Sequence, residues 1–219
     1  MSDIEPTTQQ LTNALLAGRA EEVRQSTNAA LAGGSTPNEI LDALVDAVNI
    51  VVDLHEVGEY DQGRVDAVEN AVGSCLQVIE DRLAVAEGKF NIKATTGPIG
   101  LKAGNLLSMA VSASLRSAGF RSVNLGKSQT PLELLRNSEE LGADLVVPLL
   151  SSEEVEKQLQ TFTEAVERGG FKTKFGVIPV APGLPETIQT SFMIARNSSE
   201  AISKATEWAL KRQSQNRAK

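Results

Sequence analysis

The sequence predicts an α/β protein in which an N-terminal four-helix bundle precedes a flavodoxin- or Rossmann-like, doubly wound parallel sheet. Two observations predict this class. Up to residue 86 the apolar residues recur only at helical spacing. From residue 89 short β-prone runs alternate with helical patterns, as in parallel sheets built with right-handed crossovers. The change of period predicts two domains, residues 1–87 and 88–219.

The bundle is predicted to contain four helices, and the third of them has the clearest beginning. Thr36 at the N-cap, Pro37 at the first helical position and Glu39 two residues later form a capping box. Behind it, aliphatic residues recur at helical spacing until a turn at 57–63. The predicted helices span 11–17, 18–34, 36 to that turn, and 65–86.

The second domain is predicted from four β-prone runs and the helical patterns that follow them. The runs span 89–94, 121–125, 144–150 and 173–180. The helical patterns span about 103–118, 130–140, 152–168 and 198–212. A second capping box, 130-TPLE-133, begins one of these helices. The middle of 185–197 fits either a fifth strand or a helix.

Composition excludes several function classes. The net charge of −7 is spread without a basic cluster, which argues against nucleic-acid binding. The apolar runs are too short for a membrane span and the N-terminus is polar, so we expect a cytoplasmic protein that does not contact a membrane. A single His excludes a His-rich metal site or a His pair, and we expect no catalysis by this chain alone. The lone Cys75 shares an apolar helix face, which favours a buried thiol over a nucleophile.

Three stretches carry a resemblance to a known family. The first runs from 14-ALLAGRAEEVRQ to LDALVDAV-48, the second is 57-VGEYDQGRV-65, and the third runs from 119-GFRSVNLG to LGADLVV-147. They resemble the cobalamin-binding proteins that carry methyl groups for corrinoid-dependent methyltransferases, and the related units of methionine synthase and light-sensing cobalamin regulators. The resemblance implies a corrin ring between the bundle and the carboxyl edge of the sheet, and a methyltransferase or regulatory protein as partner. A homo-oligomer is a further expectation.

In that family a His in a D-x-H-x-x-G loop holds cobalt, and an S-x-L loop and a Gly-Gly pair make room for the displaced nucleotide tail. The matching loops here are 95–104, 148–152 and 178–183, and the first contains neither Asp nor His. Leu149 stands at the Ser position, and Pro179 and Val180 stand at the paired glycines, where their bulk would crowd the tail. These departures predict a changed ligand, or none.

The candidate site residues follow from these loops and from the inter-helix turn. The glycine-rich loop could hold a corrinoid side chain or a small anion through backbone amides and Lys102. Its residues are Thr95, Thr96, Gly97, Gly100, Lys102 and Gly104, and the other sheet-edge candidates are Leu149, Ser151, Ser152 and Pro179. Tyr60 stands where the family has an aromatic residue over the corrin, or else it anchors the turn.

His55 is the only imidazole in the chain, and it precedes that turn. It could be a ligand from above to cobalt or to a haem iron, or a helix-end His favoured by the helix dipole. Two functions therefore stay open. One is a carrier or sensor that binds a corrinoid or another tetrapyrrole, without His ligation from below if it binds cobalamin. The other is a cofactor-free paralogue that acts as a scaffold or regulatory subunit of a methyltransferase-type system.

Overall fold

The structure, a computed structural model, describes residues 4–83, 88–100, 104–126, 129–151, 154–171, 175–182, 184 and 191–217. The chain divides into two compact units, Met1–Val85 and Ala86–Lys219. The predicted fold class is confirmed: helices precede a parallel sheet that is flanked by further helices.

The first unit contains four helices in its described part. They are α1 (Ile4–Leu16), α2 (Ala20–Ala32), α3 (Pro37–Glu56) and α4 (Gln62–Leu83). The first helix begins earlier than the predicted residue 11, because Pro6 falls within its first turn, where the missing backbone N–H is tolerated. The predicted capping box of α3 is present, with the Thr36 side chain accepting from the Glu39 backbone N–H.

The core of the first unit lies between the apolar faces of these helices, and it depends on a close approach at one turn. Gly18 joins α1 to α2 with a φ of +64°, and a Cβ there would lie 2.8 Å from the Cβ of Ala67 on α4. Only glycine satisfies both the backbone conformation and the contact. Fully buried side chains of this core include Leu11, Leu15, Val23, Leu44, Val48, Val68, Val72, Cys75 and Ile79.

The second unit is a parallel four-stranded sheet in the order β2-β1-β3-β4. Its strands are β1 (Lys93–Ile99), β2 (Arg121–Asn124), β3 (Leu145–Leu150) and β4 (Gly176–Val177). Its helices are α5 (Gly104–Ser117), α6 (Pro131–Glu140), α7 (Val155–Arg168) and α8 (Ser198–Arg217). Helix α5 packs against α8, and α6 packs against α7, so the crossovers cover both faces of the sheet.

The first strand differs from its prediction. It covers 93–99 rather than 89–94, so the first five residues of the glycine-rich loop predicted to begin at Thr95 are strand. Thr95 to Ile99 are all buried, because β1 lies between β2 and β3 and is covered on both faces. A central strand of this kind shows no alternation of apolar and polar residues, which is why the sequence pattern placed it too early.

The far edge of the sheet is also shorter than predicted. Strand β4 has two residues instead of the predicted eight-residue run, followed by a single parallel bridge between Leu149 and Val180. A second parallel bridge joins Val180 to Ala195. Of the two interpretations of 185–197, the described part therefore favours an extended segment at Ala195, while residues 185–190 lie outside the described ranges.

Candidate functional site

The carboxyl ends of β1 and β3 form the crevice in which open α/β sheets usually bind ligands. Strand order reverses between these two strands, so the connections after them leave in opposite directions. Gly100 follows β1 with a φ of +68°, and Ser151 follows β3 and is 7% exposed. Both were predicted site residues, and the structure brings them to the same edge of the sheet.

A residue that the sequence analysis missed, Gln158, connects these two strand ends. Its Oε1 accepts a hydrogen bond from the Ser151 backbone N–H at 2.8 Å. Its Nε2 lies 2.7 Å from the position that a Cβ of Gly100 would occupy. Its only signal in the sequence is a polar position between Val155 and Leu159 on an otherwise apolar helix face. The protein's own amide therefore lies across the crevice.

Thr95 and Thr96 do not belong to a loop, because their hydroxyl groups are used inside the second unit. The Thr95 hydroxyl lies 2.7 Å from the Ser138 Oγ, and the Thr96 hydroxyl donates to the Ser108 carbonyl at 3.2 Å. Both threonines are fully buried. Gly97 lies under α6, where a Cβ would lie 2.7 Å from the Leu134 Cδ1. Their placement in a loop was wrong, and a contact with a cofactor stays a prediction.

A polar network joins the end of β2 to the beginning of α5. The Ser108 hydroxyl donates to the Asn124 Oδ1 at 2.6 Å, and the Asn124 Nδ2 donates to the Asn105 Oδ1 at 3.0 Å. The Gly126 backbone N–H also donates to the Asn124 Oδ1, at 2.9 Å. The network fixes the course of the chain after β2, next to the start of α5 at Gly104.

The residues aligned with the family's tail-binding positions are apolar and buried. Leu149 is fully buried, Val180 is 2% exposed and forms a bridge with Leu149, and Pro179 is also buried. The roles predicted for Leu149 and Pro179 stay predictions. Lys102 and Ser152 lie outside the described residues.

In the first unit, His55 lies in the last turn of α3, and one of its ring nitrogens forms a hydrogen bond. Its Nδ1 lies 2.7 Å from the backbone oxygen of Tyr60. A carbonyl oxygen can only accept a hydrogen bond, so Nδ1 carries the proton and donates it. The other ring nitrogen, Nε2, is buried and has no hydrogen-bond partner among the described residues.

Tyr60 is held from several directions, as its anchor interpretation requires. Its hydroxyl donates to the Leu16 carbonyl at 3.2 Å, and its backbone N–H donates to the Leu54 carbonyl at 3.1 Å. The Arg64 guanidinium carbon lies 5.3 Å from the centroid of its ring. The turn that accepts the His55 hydrogen bond is therefore tied to α1, α3 and α4.

Two further features bear on the chemistry. Burial raises the pKa of the Cys75 thiol to about 11, so this group stays a neutral thiol at physiological pH. The described ranges contain no group of three or more His, Cys, Asp or Glu side chains that could hold a metal ion. None of the helices in those ranges is long and apolar enough to cross a membrane.

A cavity of about 270 Å³ lies at the opposite edge of the sheet, at the amino ends of β1 and β3. Asp144 and Arg212 line it and form an ion pair with a separation of 2.7 Å. Asp144 also accepts from the Lys93 backbone N–H at 3.1 Å. These charges are already paired with each other, so the cavity does not compete with the carboxyl edge as the candidate site.

Comparisons with known proteins agree with this architecture. The structure is similar to that of the monomethylamine corrinoid protein of Methanosarcina barkeri, with a TM-score of 0.68, 18% identity, and coverage of 93% of this chain and 98% of that chain. No curated protein matches the sequence.

Two further solved structures match at lower TM-scores. One is the methanol:cobalamin methyltransferase complex of Methanosarcina barkeri, at a TM-score of 0.43 and 15% identity, covering 94% of this chain and 80% of that one. The other is a cobalamin-binding protein of Desulfitobacterium hafniense, at a TM-score of 0.47 and 14% identity, covering 95% of this chain and 99% of that one.

The family comparison concerns the first unit. Residues 7–80 match the model of the B12 binding domain, and this range covers most of α1 to α4. The stretches on which the resemblance was recognised, 14–48 and 57–65, lie within it. Residues 7–80 of this chain are therefore similar to the B12 binding domain, and the match covers about a third of the chain.

Proposed function

We propose that this protein binds a corrinoid and serves as a carrier or sensor module for a partner protein. The observation that carries the proposal is the match of residues 7–80 to the model of the B12 binding domain. The fold of the whole chain supports it, since the structure of a corrinoid protein matches over nearly the full length of both chains.

A partner is part of the proposal because the chain offers little chemistry of its own. It has one His and one Cys, and the Cys is a buried, neutral thiol. The described residues contain no cluster that could hold a catalytic metal. We therefore infer that a methyltransferase-type enzyme or a regulatory protein performs the reaction or reads out the bound state.

The corrinoid is proposed to bind without His ligation from the sheet and without insertion of its nucleotide tail. The chain's only His lies in the first unit, so no loop of the second unit can supply an imidazole. Leu149, Pro179 and Val180 stand at the positions aligned with the family's tail-binding residues, and all three are buried. Making room for a tail there would expose apolar surface, at about 1.5–3 kcal/mol for each aliphatic side chain.

A comparison of two corrinoids tests this proposal. Cobinamide is the corrinoid that lacks the nucleotide tail. If the tail makes no specific contact, the full chain should bind aquocobalamin and aquocobinamide with dissociation constants that agree within about threefold, a difference of less than about 1 kcal/mol. Isothermal titration calorimetry with each corrinoid measures this directly.

The outcomes separate the general proposal from the detailed one. Strong preference for cobalamin, with a visible spectrum showing that its base has left the cobalt, would contradict the proposed tail-out mode but keep corrinoid binding. Failure to bind either corrinoid, in the Co(II) and the Co(III) states, would contradict the function itself.

A second candidate function is favoured by the same buried apolar residues at the aligned positions. In it the chain is a cofactor-free paralogue that acts as a scaffold or regulatory subunit, and Gln158 and the buried Leu149, Pro179 and Val180 close the former ligand space. This candidate predicts a colourless protein that binds neither corrinoid but forms a stoichiometric complex with a methyltransferase-type subunit, which analytical ultracentrifugation of the mixture would detect.

A further inference from the structure

We propose that the Nε2 atom of His55 is an axial ligand to the cobalt of the bound corrinoid. This inference rests on the proposed function and adds to it a named coordinating atom, donated by the first unit. Three features of the turn after α3 carry it: an imidazole nitrogen without a partner, a fixed tautomer, and a rigid acceptor that orients the ring.

The unpartnered nitrogen is the first feature. The His55 Nε2 is buried and has no hydrogen-bond partner in the described part of the chain. Leaving a buried polar atom unsatisfied costs about 1–3 kcal/mol. Most buried polar groups in folded proteins have a partner, and an exception calls for an explanation such as a bound ion or ligand.

The tautomer is the second feature. Because the Tyr60 carbonyl can only accept, the proton of the neutral ring lies on Nδ1, 2.7 Å from that oxygen. Nε2 then has its lone pair free in the plane of the ring, which is the form in which imidazole coordinates metals. Donation of the second ring N–H to a backbone carbonyl is also the usual arrangement behind a metal-bound His.

The rigidity of the acceptor is the third feature. The Tyr60 backbone is held by its own N–H on the Leu54 carbonyl, at 3.1 Å, and its ring is held by the hydroxyl on the Leu16 carbonyl. The Gly58 N–H donates to the carbonyl of His55 itself at 3.1 Å. The imidazole is thus oriented by a turn that three helices fix. Ligand binding would therefore not include the entropy cost of ordering the His55 side chain.

The proposed function names the metal that Nε2 would bind, which is the cobalt of a corrinoid. The described residues contain no group of three or more His, Cys, Asp or Glu side chains that could form an all-protein metal site. A single protein nitrogen suffices for a metal that brings its own equatorial ligands, as cobalt does in a corrin ring. Since Nε2 is covered by protein atoms, we expect association to include a conformational step and to be slower than a simple docking reaction.

Electron paramagnetic resonance of the full chain with cob(II)inamide tests the assignment. This corrinoid has no nucleotide base, so a nitrogen on its cobalt axis must come from the protein. The unpaired electron of low-spin Co(II) occupies an axial orbital, and an axial ¹⁴N nucleus splits each cobalt line into a triplet. We expect triplets for the wild-type chain.

Selective labelling assigns the nitrogen without any mutation. Because the chain contains one His, protein grown with ¹⁵N-histidine carries the label at His55 alone. The triplets should become doublets if His55 is the ligand. Triplets that persist with this label, or bound cob(II)inamide whose cobalt lines show no nitrogen splitting, would overturn the assignment.

Variants give a second, independent readout. His55→Ala should lose the splitting while cob(II)inamide still co-elutes with the protein, and added imidazole should restore it. Tyr60→Phe is the matched control, since it removes the hydroxyl but keeps the backbone oxygen that accepts from Nδ1, and it should retain the triplets. Absence of co-elution for the wild-type chain would contradict the proposed function, whereas co-elution without splitting contradicts only the role of His55.

Discussion

At the scale of single residues, the buried Cys75 shows how environment decides the chemistry of a side chain. Its thiol lies in the core of the bundle, where the Thr27 hydroxyl is 3.5 Å from the sulfur and donates its main hydrogen bond to the Val23 carbonyl at 2.7 Å. Burial raises the pKa of Cys75 from 9.0 to about 11, and the contact with Thr27 offsets this only in part. The sequence prediction of a buried, unreactive thiol agrees with this environment.

The raised pKa predicts a loss of stability in alkali. Below pH 9 the thiol is neutral in both the folded and the unfolded chain, so its full contribution to stability is present. Between pH 9 and 11 only the unfolded chain ionises, and the free energy of unfolding should fall by about 2–3 kcal/mol. Urea unfolding at pH 8 and pH 11 measures this change.

Cys75→Ala is the control, because it keeps every other alkaline titration. The difference in unfolding free energy between wild type and variant should shrink from pH 8 to pH 11 by that amount. A difference that is the same at both pH values would contradict the account of Cys75.

At the scale of elements, Gln158 couples α7 to the ends of two strands. The same amide accepts from the Ser151 backbone N–H after β3 and lies where a Cβ on Gly100, after β1, would collide with it. This arrangement is a product of the doubly wound topology, which brings the carboxyl ends of β1 and β3 together with the beginning of the following helix. The approach of the glutamine to the glycine is not indicated by any local sequence pattern.

A double-mutant cycle tests this coupling. Gly100→Ala should cost about 1–2 kcal/mol for the positive φ, and a further ~1 kcal/mol because its Cβ displaces the Gln158 amide from Ser151. Gln158→Ala alone should lower the free energy of unfolding by ~1 kcal/mol, because it removes only the hydrogen bond to Ser151. The double variant should therefore be less destabilised than the sum of the single variants, by about 1 kcal/mol in chemical denaturation.

The matched control is Gly142, which has a similar φ of +66° but no atom within 4 Å of an added Cβ. Gly142→Ala should cost only the backbone strain and should combine additively with Gln158→Ala. A cycle at Gly100 that is equally additive would show that the amide does not hold this edge.

Elements also differ in how far the sequence predicts them. Helices α3 and α6 begin where their capping boxes place them, at Pro37 and Pro131, because Thr36 and Thr130 act on residues within the same turn. Strand β1 was placed too early, because its Gly97 and Pro98 look like loop residues. The reason for Gly97 is the Leu134 side chain on a distant helix, which no local pattern reveals.

At the scale of the whole molecule, the chain joins a helical unit that is similar to the B12 binding domain over residues 7–80 to an α/β unit with a parallel four-stranded sheet. The resemblance of the first unit to the B12 binding domain was recognisable from its own sequence, and the sequence also shows that residues 95–104 contain neither Asp nor His. The hydrogen bond between Ser151 and Gln158 and the bridge between Leu149 and Val180 were not predictable, since each pair meets only in the folded unit. The His55 Nε2, which has no hydrogen-bond partner among the residues described, likewise depends on the geometry of a turn.

Corrinoid binding by the intact protein is the central claim, and gel filtration tests it most directly. The full chain is incubated with aquocobinamide, and corrin absorbance is followed across the eluted protein peak. The account predicts that a stoichiometric amount of corrinoid elutes with the protein and that cobalamin behaves alike. Elution of all corrinoid at the position of the free small molecule, at concentrations well above micromolar, would contradict it.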